Sequence, residues 1–260
     1  MEYTQIIYQV SDRIATIKLN RPDKLNAFSR DMCSELITAL TSANEDDEVR
    51  VIIITGAGSI FCAGGDLSIE QGNEEWYSRI VDRLFEDQRN AAGMVTIAMY
   101  DSKKPIIVAI NGAAIGVGIT ITLAADIRLA SQNAKFGFVF TRRGLVNEGI
   151  SSWFLPRIVG LGKAMEWIVT GKIIEVEEAL KYGLINEVCT PDTLIPRAHE
   201  IAADIARNTS AISVALCRQL ILKNQRLYSP EEAYKIESEA LFWGLIDGAI
   251  KRLPNVLPIK

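Results

Sequence analysis

Histidine is almost missing from this 260-residue chain, in which His199 is the single one. The four cysteines, Cys33, Cys62, Cys189 and Cys217, stand far apart and form no Cys-x-x-Cys pair. These shortages exclude a zinc ribbon, argue against a disulfide framework and remove Ser-His or Cys-His catalysis unless His199 itself serves. No metal site is expected. A basic excess is missing too: Lys plus Arg (28) falls short of Asp plus Glu (32), for a net charge of -4. A surface built to release counterions from nucleic acid, or to hug an anionic membrane, is therefore not expected. The opening Met1-Glu2-Tyr3-Thr4-Gln5 lacks the basic start and apolar run of a secretory leader, and the closing Pro258-Ile259-Lys260 is not a Ser-Lys-Leu address. The expected compartment is cytoplasmic.

Charge is absent from residues 105–125, a length that could span a bilayer. Asn111-Gly112 breaks this run into a strand, Pro105-Ile106-Ile107-Val108-Ala109-Ile110, and a helix of small residues, so no membrane span is expected. The chain is 48% hydrophobic and long enough for one large domain or a domain with an appendage. Ile6-Ile7-Tyr8-Gln9-Val10 and Ile14-Ala15-Thr16-Ile17-Lys18-Leu19 flank Ser11-Asp12-Arg13 as a hairpin. Met32, Leu36, Ile37 and Leu40 recur at helical spacing, and Val51-Ile52-Ile53-Ile54-Thr55 reads as a strand buried on both faces. A loop over 57–66 precedes a polar helix running toward Tyr100. Beyond Glu148 the period is helical, with a helix pair over 214–222 and 230–246. The composition shift at Thr190-Pro191 divides a mixed α/β core, residues 1–190, from a helical segment, residues 191–260.

Two loops follow apolar strands with small residues where a backbone must come close to something. They are Phe61-Cys62-Ala63-Gly64-Gly65-Asp66-Leu67 and Asn111-Gly112-Ala113-Ala114-Ile115-Gly116-Val117-Gly118. Unpaired N–H groups at such junctions can converge on a negatively charged oxygen, while the plain alternative is that the glycines only permit tight turns and helix packing. Neither loop has the spacing of a phosphate-binding loop, and Ile121 stands where a dinucleotide fingerprint needs its third glycine.

These loops, together with Asn20-Arg21-Pro22-Asp23-Lys24-Leu25-Asn26-Ala27, Ala125-Asp126-Ile127-Arg128, Phe136-Gly137-Phe138, Phe154-Leu155-Pro156-Arg157, Thr170-Gly171 and Gly183-Leu184, resemble the crotonase superfamily of enoyl-CoA hydratases and isomerases. The resemblance covers nearly the whole chain. It implies an α/β spiral of ββα turns with a C-terminal helical trimerisation segment, a homotrimer or a dimer of trimers, and a coenzyme A thioester as substrate with no further cofactor. It places the oxyanion hole on the backbone N–H groups of Ala63 and Val117, coenzyme A contacts at Lys24, Leu25, Ala27, Asp66 and Leu67, and an acyl pocket around Thr120, Phe136 and Phe140.

Hydratases of this family resemble one another in two glutamates, and the matching positions here are Thr120 and Phe140. A threonine hydroxyl is too weak an acid or base for that work near neutral pH, and phenylalanine has no proton to give. Asn147-Glu148-Gly149-Ile150-Ser151-Ser152 instead resembles the Pro-Glu-Gly-x-Ser-Ser stretch of the Δ3,Δ2-enoyl-CoA isomerase branch, with Asn147 in place of the proline. That implies Glu148 as the catalytic base. The alternative is a helix-start acid favoured by the helix dipole, and helix start and apolar surroundings pull its pKa in opposite directions. The isomerase reading leads, ahead of hydration, hydrolysis, decarboxylation or dehalogenation of an unusual acyl-CoA, and of a weakly active CoA-binding protein or RNA-binding relative. Arg142 and Arg143 are weighed as anion ligands against a solvated face or subunit contact. Lys251 and Arg252 are weighed as phosphate ligands against plain surface positions. His199 is read as structural and Cys62 as a small buried filler.

Overall fold

The structure, a computed structural model, describes residues 3–66, 90–227 and 229–246. Its strands are β1 (Ile6–Ser11), β2 (Ile14–Leu19), β3 (Val51–Gly56), β4 (Ile106–Ile110), β5 (Ala114–Ile115), β6 (Ile127–Ser131), β7 (Lys135–Gly137), β8 (Ile173–Glu175) and β9 (Glu187–Cys189). β1 and β2 form the expected antiparallel hairpin, turning on Asp12 and Arg13 at φ +50° and +66°. Left-handed backbone at both central residues matches the twist of the flanking strands. β3, β4, β6 and β9 then add in parallel, for the order β1-β2-β3-β4-β6-β9.

A second, smaller sheet runs β5-β7-β8, and Cys62 is bridged to Ala114 at its edge. Each large-sheet strand β3, β4 and β6 is thus followed within a few residues by a short partner, at Cys62, β5 and β7. That repetition is the spiral of ββα turns. The helices are α1 (Arg30–Glu45), α2 (Ala91–Asp101), α3 (Val117–Thr120), α4 (Ser151–Val159), α5 (Leu161–Thr170), α6 (Val176–Lys181), α7 (Pro191–Asn208), α8 (Ala211–Asn224) and α9 (Pro230–Ile246).

Alternation along β3 decides what packs where. Ile52 and Ile54 join the larger core with α1 and α2, through Met32, Leu36, Leu40, Val95 and Met99, while Val51 and Ile53 face the other way. α1 is started by Ser29, whose hydroxyl accepts from the Met32 N–H at 3.1 Å. The opposite face of the sheet is covered by α7, which buries Leu194, Ala198 and Ala202 against Ile14, Val51, Ile53, Ile107, Ala109 and Leu129.

This packing runs across the composition shift at 190/191. α7 is inseparable from the sheet, because removing it uncovers an entire face of buried β-branched side chains, each worth about 1.5–3 kcal/mol. α8 is tied to the core as well, through Arg218 and Leu222. The small-residue helix expected after Asn111-Gly112 also proves shorter, with β5, the single turn of α3 and a 3-10 turn at Ile121–Ala124. No described helix is long and apolar enough to cross a membrane.

Candidate active site

Three segments meet at one edge of the larger core. The first is the turn after β2. Asn26, buried and left-handed at φ +52°, accepts from the Arg21 N–H at 2.9 Å and donates to the carbonyls of Ala57 and Ile60 at 2.8 Å each. It ties the Lys24–Ala27 turn to the loop after β3. In that loop the Asp66 carboxylate is paired with Arg21 at 2.7 Å, and Arg21 also holds the Ala27 carbonyl at 2.7 Å. Lys24, Leu25, Ala27 and Asp66 are thereby brought together, with Lys24 and Leu25 exposed and the Asp66 side chain buried in its ion pair. Leu67, Lys251 and Arg252 lie outside the described residues.

The second segment is Phe61 to Asp66. Cys62 pairs with β5, its N–H donating to Ala113 O and its carbonyl accepting from Ile115 N, both at 3.0 Å. The Ala63 N–H donates to Leu25 O at 3.1 Å. This corrects the expected oxyanion hole, since a donor already used inside the fold is not offered to a ligand. Two residues on, Phe28 N–H bonds Gly64 O at 2.8 Å and Asp66 N–H bonds Phe28 O at 2.9 Å. In extended backbone successive N–H groups point to opposite sides, so the Gly65 N–H points away from Phe28. It has no hydrogen-bond partner among the described residues, and a Cβ at Gly65 would meet nothing within 4 Å.

The third segment is the turn into α3. Gly116, at φ +54°, begins a helix whose first bonded N–H groups are those of Ile119 and Thr120, leaving the Val117 N–H as a first-turn donor with no partner among the described residues. A Cβ at Gly116 would lie 4.0 Å from both Gly64 Cα and Phe140 Cε1. One at Gly118 would lie 2.4 Å from Cys62 O, so the two loops approach only because Gly118 has no side chain. The Gly65 and Val117 donors therefore sit on adjoining backbone, beside the Phe140 ring.

Thr120, one turn into α3, meets the Glu148 loop. A Cβ on Gly149 would fall 2.6 Å from Thr120 Oγ1, and Gly149 and Ile150 are both left-handed at φ +62° and +58°. A β-branched residue in that region is strained by about 1–3 kcal/mol and persists only where its surroundings hold it there. The α2 helix supplies that hold. Asn90 Oδ1 caps α2 by accepting from Gly93 N at 2.6 Å and also accepts from Gly149 N at 3.3 Å. The buried Thr96 hydroxyl lies 3.1 Å from Gly149 O.

Glu148 is not a helix cap. α4 starts three residues later, with no side-chain cap, and Glu148 contributes only its carbonyl, to the Ser151 N–H at 3.1 Å. Burial pushes its carboxyl up to about 7, and the facing Thr120 hydroxyl, which favours the ionised form, holds part of that rise back. Burial also pushes the Cys62 thiol up to about 11, and the nearby Glu148 charge adds to it. A thiol so protonated is no nucleophile, and Cys62 is a filler under the loop.

Other expected residues fall elsewhere. Phe136 is fully buried in the small sheet between Ala114 and Ile174, and Phe138 stacks on Trp167 at 6.4 Å, so neither surrounds Glu148. Phe154 packs edge-on against Tyr100 and Trp153. Arg142 Nε donates to Thr170 O at 2.9 Å, at the end of α5, and Arg143 is exposed. His199 is on α7, across the sheet from the site. Among the described residues no cluster of three or more His, Cys, Asp or Glu is placed to hold a metal. Sequence reasoning missed Gly65, Asn90 and Thr96. Asn90 carried a signal, an N-cap residue before an apolar run, whereas Gly65 is separated from its neighbours only by the strand pairing.

The sequence pattern of the enoyl-CoA hydratase/isomerase family matches residues 9–246. The chain is 40% identical over 233 residues to a protein of Alternaria alternata named enoyl-CoA hydratase ACTT3, covering 89% of this chain and 76% of that one. It is 32% identical over 228 residues to the 1,2-epoxyphenylacetyl-CoA isomerase of Escherichia coli, covering 83% and 81%. Among solved structures, an enoyl-CoA hydratase of Bacillus anthracis superposes with a TM-score of 0.82 at 33% identity, covering 94% of this chain and 92% of that one. With the ββα spiral already evident in the backbone, these likenesses establish that the chain is an enzyme of the enoyl-CoA hydratase/isomerase family, the crotonase superfamily.

Proposed function

We propose that the protein shifts the double bond of a 3-enoyl-CoA into conjugation with the thioester, with Glu148 as the proton-carrying base. The observation that carries this reading is the carboxyl of Glu148, raised by burial to about 7 and set in a strained loop beside the α3 turn. A base titrating near neutral pH is half ionised and ready to accept a proton, and its conjugate acid gives the proton back easily. In the proposed reaction the thioester oxygen accepts hydrogen bonds from Gly65 and Val117, which spreads the charge left when a C2 proton departs. Glu148 takes that proton and returns it at C4. Each oxyanion donor contributes about 3 kcal/mol to such a step. Gly65 replaces Ala63 in this account because its N–H is the unpaired one.

Lys24, Leu25 and Ala27 form the exposed rim proposed to meet coenzyme A. Asp66 serves there by closing the Arg21 pair. Thr120 and Phe140 line the acyl side, next to Glu148 and Gly116 respectively, and Phe136 supports them from within the core. α9 carries exposed Leu241, Phe242 and Trp243, apolar cargo that favours assembly into a trimer or a pair of trimers.

The second reading, hydration of a 2-enoyl-CoA, is favoured by the name of the 40%-identical Alternaria protein. Against it, the two positions matching the hydratase acids hold Thr120 and Phe140. Separate incubation with 3-enoyl- and 2-enoyl-CoA thioesters, followed by mass spectrometry and ultraviolet absorbance, distinguishes the two. Isomerisation gains conjugation without mass. Dominant addition of one water to either substrate overturns the isomerase reading.

A further inference from the structure

We infer that Asn90 and Thr96 are positioning residues for Glu148, and that α2 acts on the chemistry through the two hydrogen bonds it makes to Gly149. The inference rests on Glu148 as the base and adds what holds it. Asn90 Oδ1 takes the Gly149 N–H at 3.3 Å, and the Thr96 hydroxyl, whose one proton is shared with Ala92 O at 2.9 Å, reaches the Gly149 carbonyl at 3.1 Å. One peptide group on each side of the Gly149 Cα is therefore fixed by a different side chain of the same helix. The N–H belongs to the peptide that joins Gly149 to Glu148, so the plane carrying the Glu148 Cα cannot rotate without breaking the Asn90 contact.

The loop needs such a brace. Gly149 and Ile150 are consecutive left-handed residues, and Ile150 is β-branched, so the chain left to itself relaxes toward ordinary backbone. On the far side Thr120 closes against Gly149, and a Cβ there would lie 2.8 Å from Thr120 Cβ. Gly149 is thus clamped between α2 and α3. Thr96 is fully inaccessible, while Asn90 stands exposed at the start of α2. The Thr120 hydroxyl meets the Glu148 carboxyl and does not tie down its backbone. α2 is in turn anchored at its other end, where Arg218 of α8 donates to the carbonyls of Met99, Tyr100 and Ser102.

Thr96→Val keeps the side-chain volume and removes the hydroxyl, while Thr96→Ser keeps the hydroxyl. A small misplacement of a reacting group lowers rate by up to about a hundredfold without changing how the rest of the substrate binds. For Thr96→Val the expected result is therefore a fall in kcat of about 10- to 100-fold with KM within roughly twofold, and recovery in Thr96→Ser to within about threefold of the wild type. A second readout does not depend on turnover. Carbon-13 NMR titration of Glu148 in the free protein should show its pKa moving in Thr96→Val toward the ordinary carboxylate range, as the loop opens to water, and returning in Thr96→Ser. An unchanged kcat and an unchanged titration in Thr96→Val overturn the brace even where Glu148→Gln is inactive. A moved titration together with an active Glu148→Gln keeps the brace and overturns Glu148 as the base.

Discussion

A single carboxyl carries most of the chemistry proposed here, and its environment sets how it responds to pH. Because the ionised form is the base, kcat/KM should rise with pH along a limb centred near 7, the value to which burial pushes Glu148. Thr120→Val removes the hydroxyl that favours the ionised form, so that limb should move to higher pH; a limb that stays in place shows the hydroxyl is not part of the Glu148 environment. The same shift has a stability consequence. Folded Glu148 keeps its proton up to about 7, whereas unfolding frees it to ionise from its ordinary 4.5. Between these values the unfolded state binds fewer protons, so stability falls as pH rises from about 4.5 to about 7 and levels off above. Glu148→Gln should match the wild type at pH near 4 and exceed it above 7 by up to about 3 kcal/mol, measured by denaturant titration at the two pH values. Glu148 was legible as a candidate because its motif survives in the sequence, but the answer to its pKa was not. Helix start and burial were opposed on paper, and only the structure shows α4 beginning three residues too late to matter.

At the scale of elements, short glycine-rich pieces and one arginine do the positioning. The strands and long helices were readable from period and β-branching, since burial on one or both faces dictates those patterns. The turn around Gly65 was not, because both glycines of the Gly64-Gly65 pair look alike until the bonds of Phe28 to Gly64 O and the Asp66 N–H turn the Gly65 N–H the other way. Nor did the sequence show that Arg218 of α8 reaches across the chain to Asp126, with both carboxylate oxygens at 2.9 Å, and to the last carbonyls of α2. Truncating this arginine leaves the Asp126 carboxylate with the Ile106 N–H alone among the described residues and takes a charged donor from three buried carbonyls. Arg218→Ala should therefore cost about 3 kcal/mol or more, a fall in Tm of roughly 6–12 °C by calorimetry, and Arg218→Lys should recover only part of it, since an ammonium cannot span the same set of acceptors. A variant melting with the wild type would remove Arg218 from the account of how the tail is held. Gly118→Ala, by contrast, should act at the site. Its methyl would lie 2.4 Å from Cys62 O, so α3 must withdraw from the Cys62 strand and carry the Val117 donor with it, lowering kcat far more than it raises KM.

For the whole molecule, the sheet with its two covered faces is complete in one chain, while the tail is not. Leu241, Phe242 and Trp243 are 65%, 58% and 64% exposed, too much apolar surface for a helix meant to face water. Light scattering at micromolar concentration should give at least three times the chain mass of 28.7 kDa, and a monomer contradicts the proposed assembly. The central claim, that Glu148 is the proton carrier of an enoyl-CoA isomerase, meets its most direct test in the turnover of a 3-enoyl-CoA by Glu148→Gln. The substitution removes the proton acceptor and almost no volume, so the account predicts a loss of about a thousandfold or more in kcat with thioester affinity preserved. A Glu148→Gln enzyme that still moves the double bond at a rate near that of the wild type contradicts it.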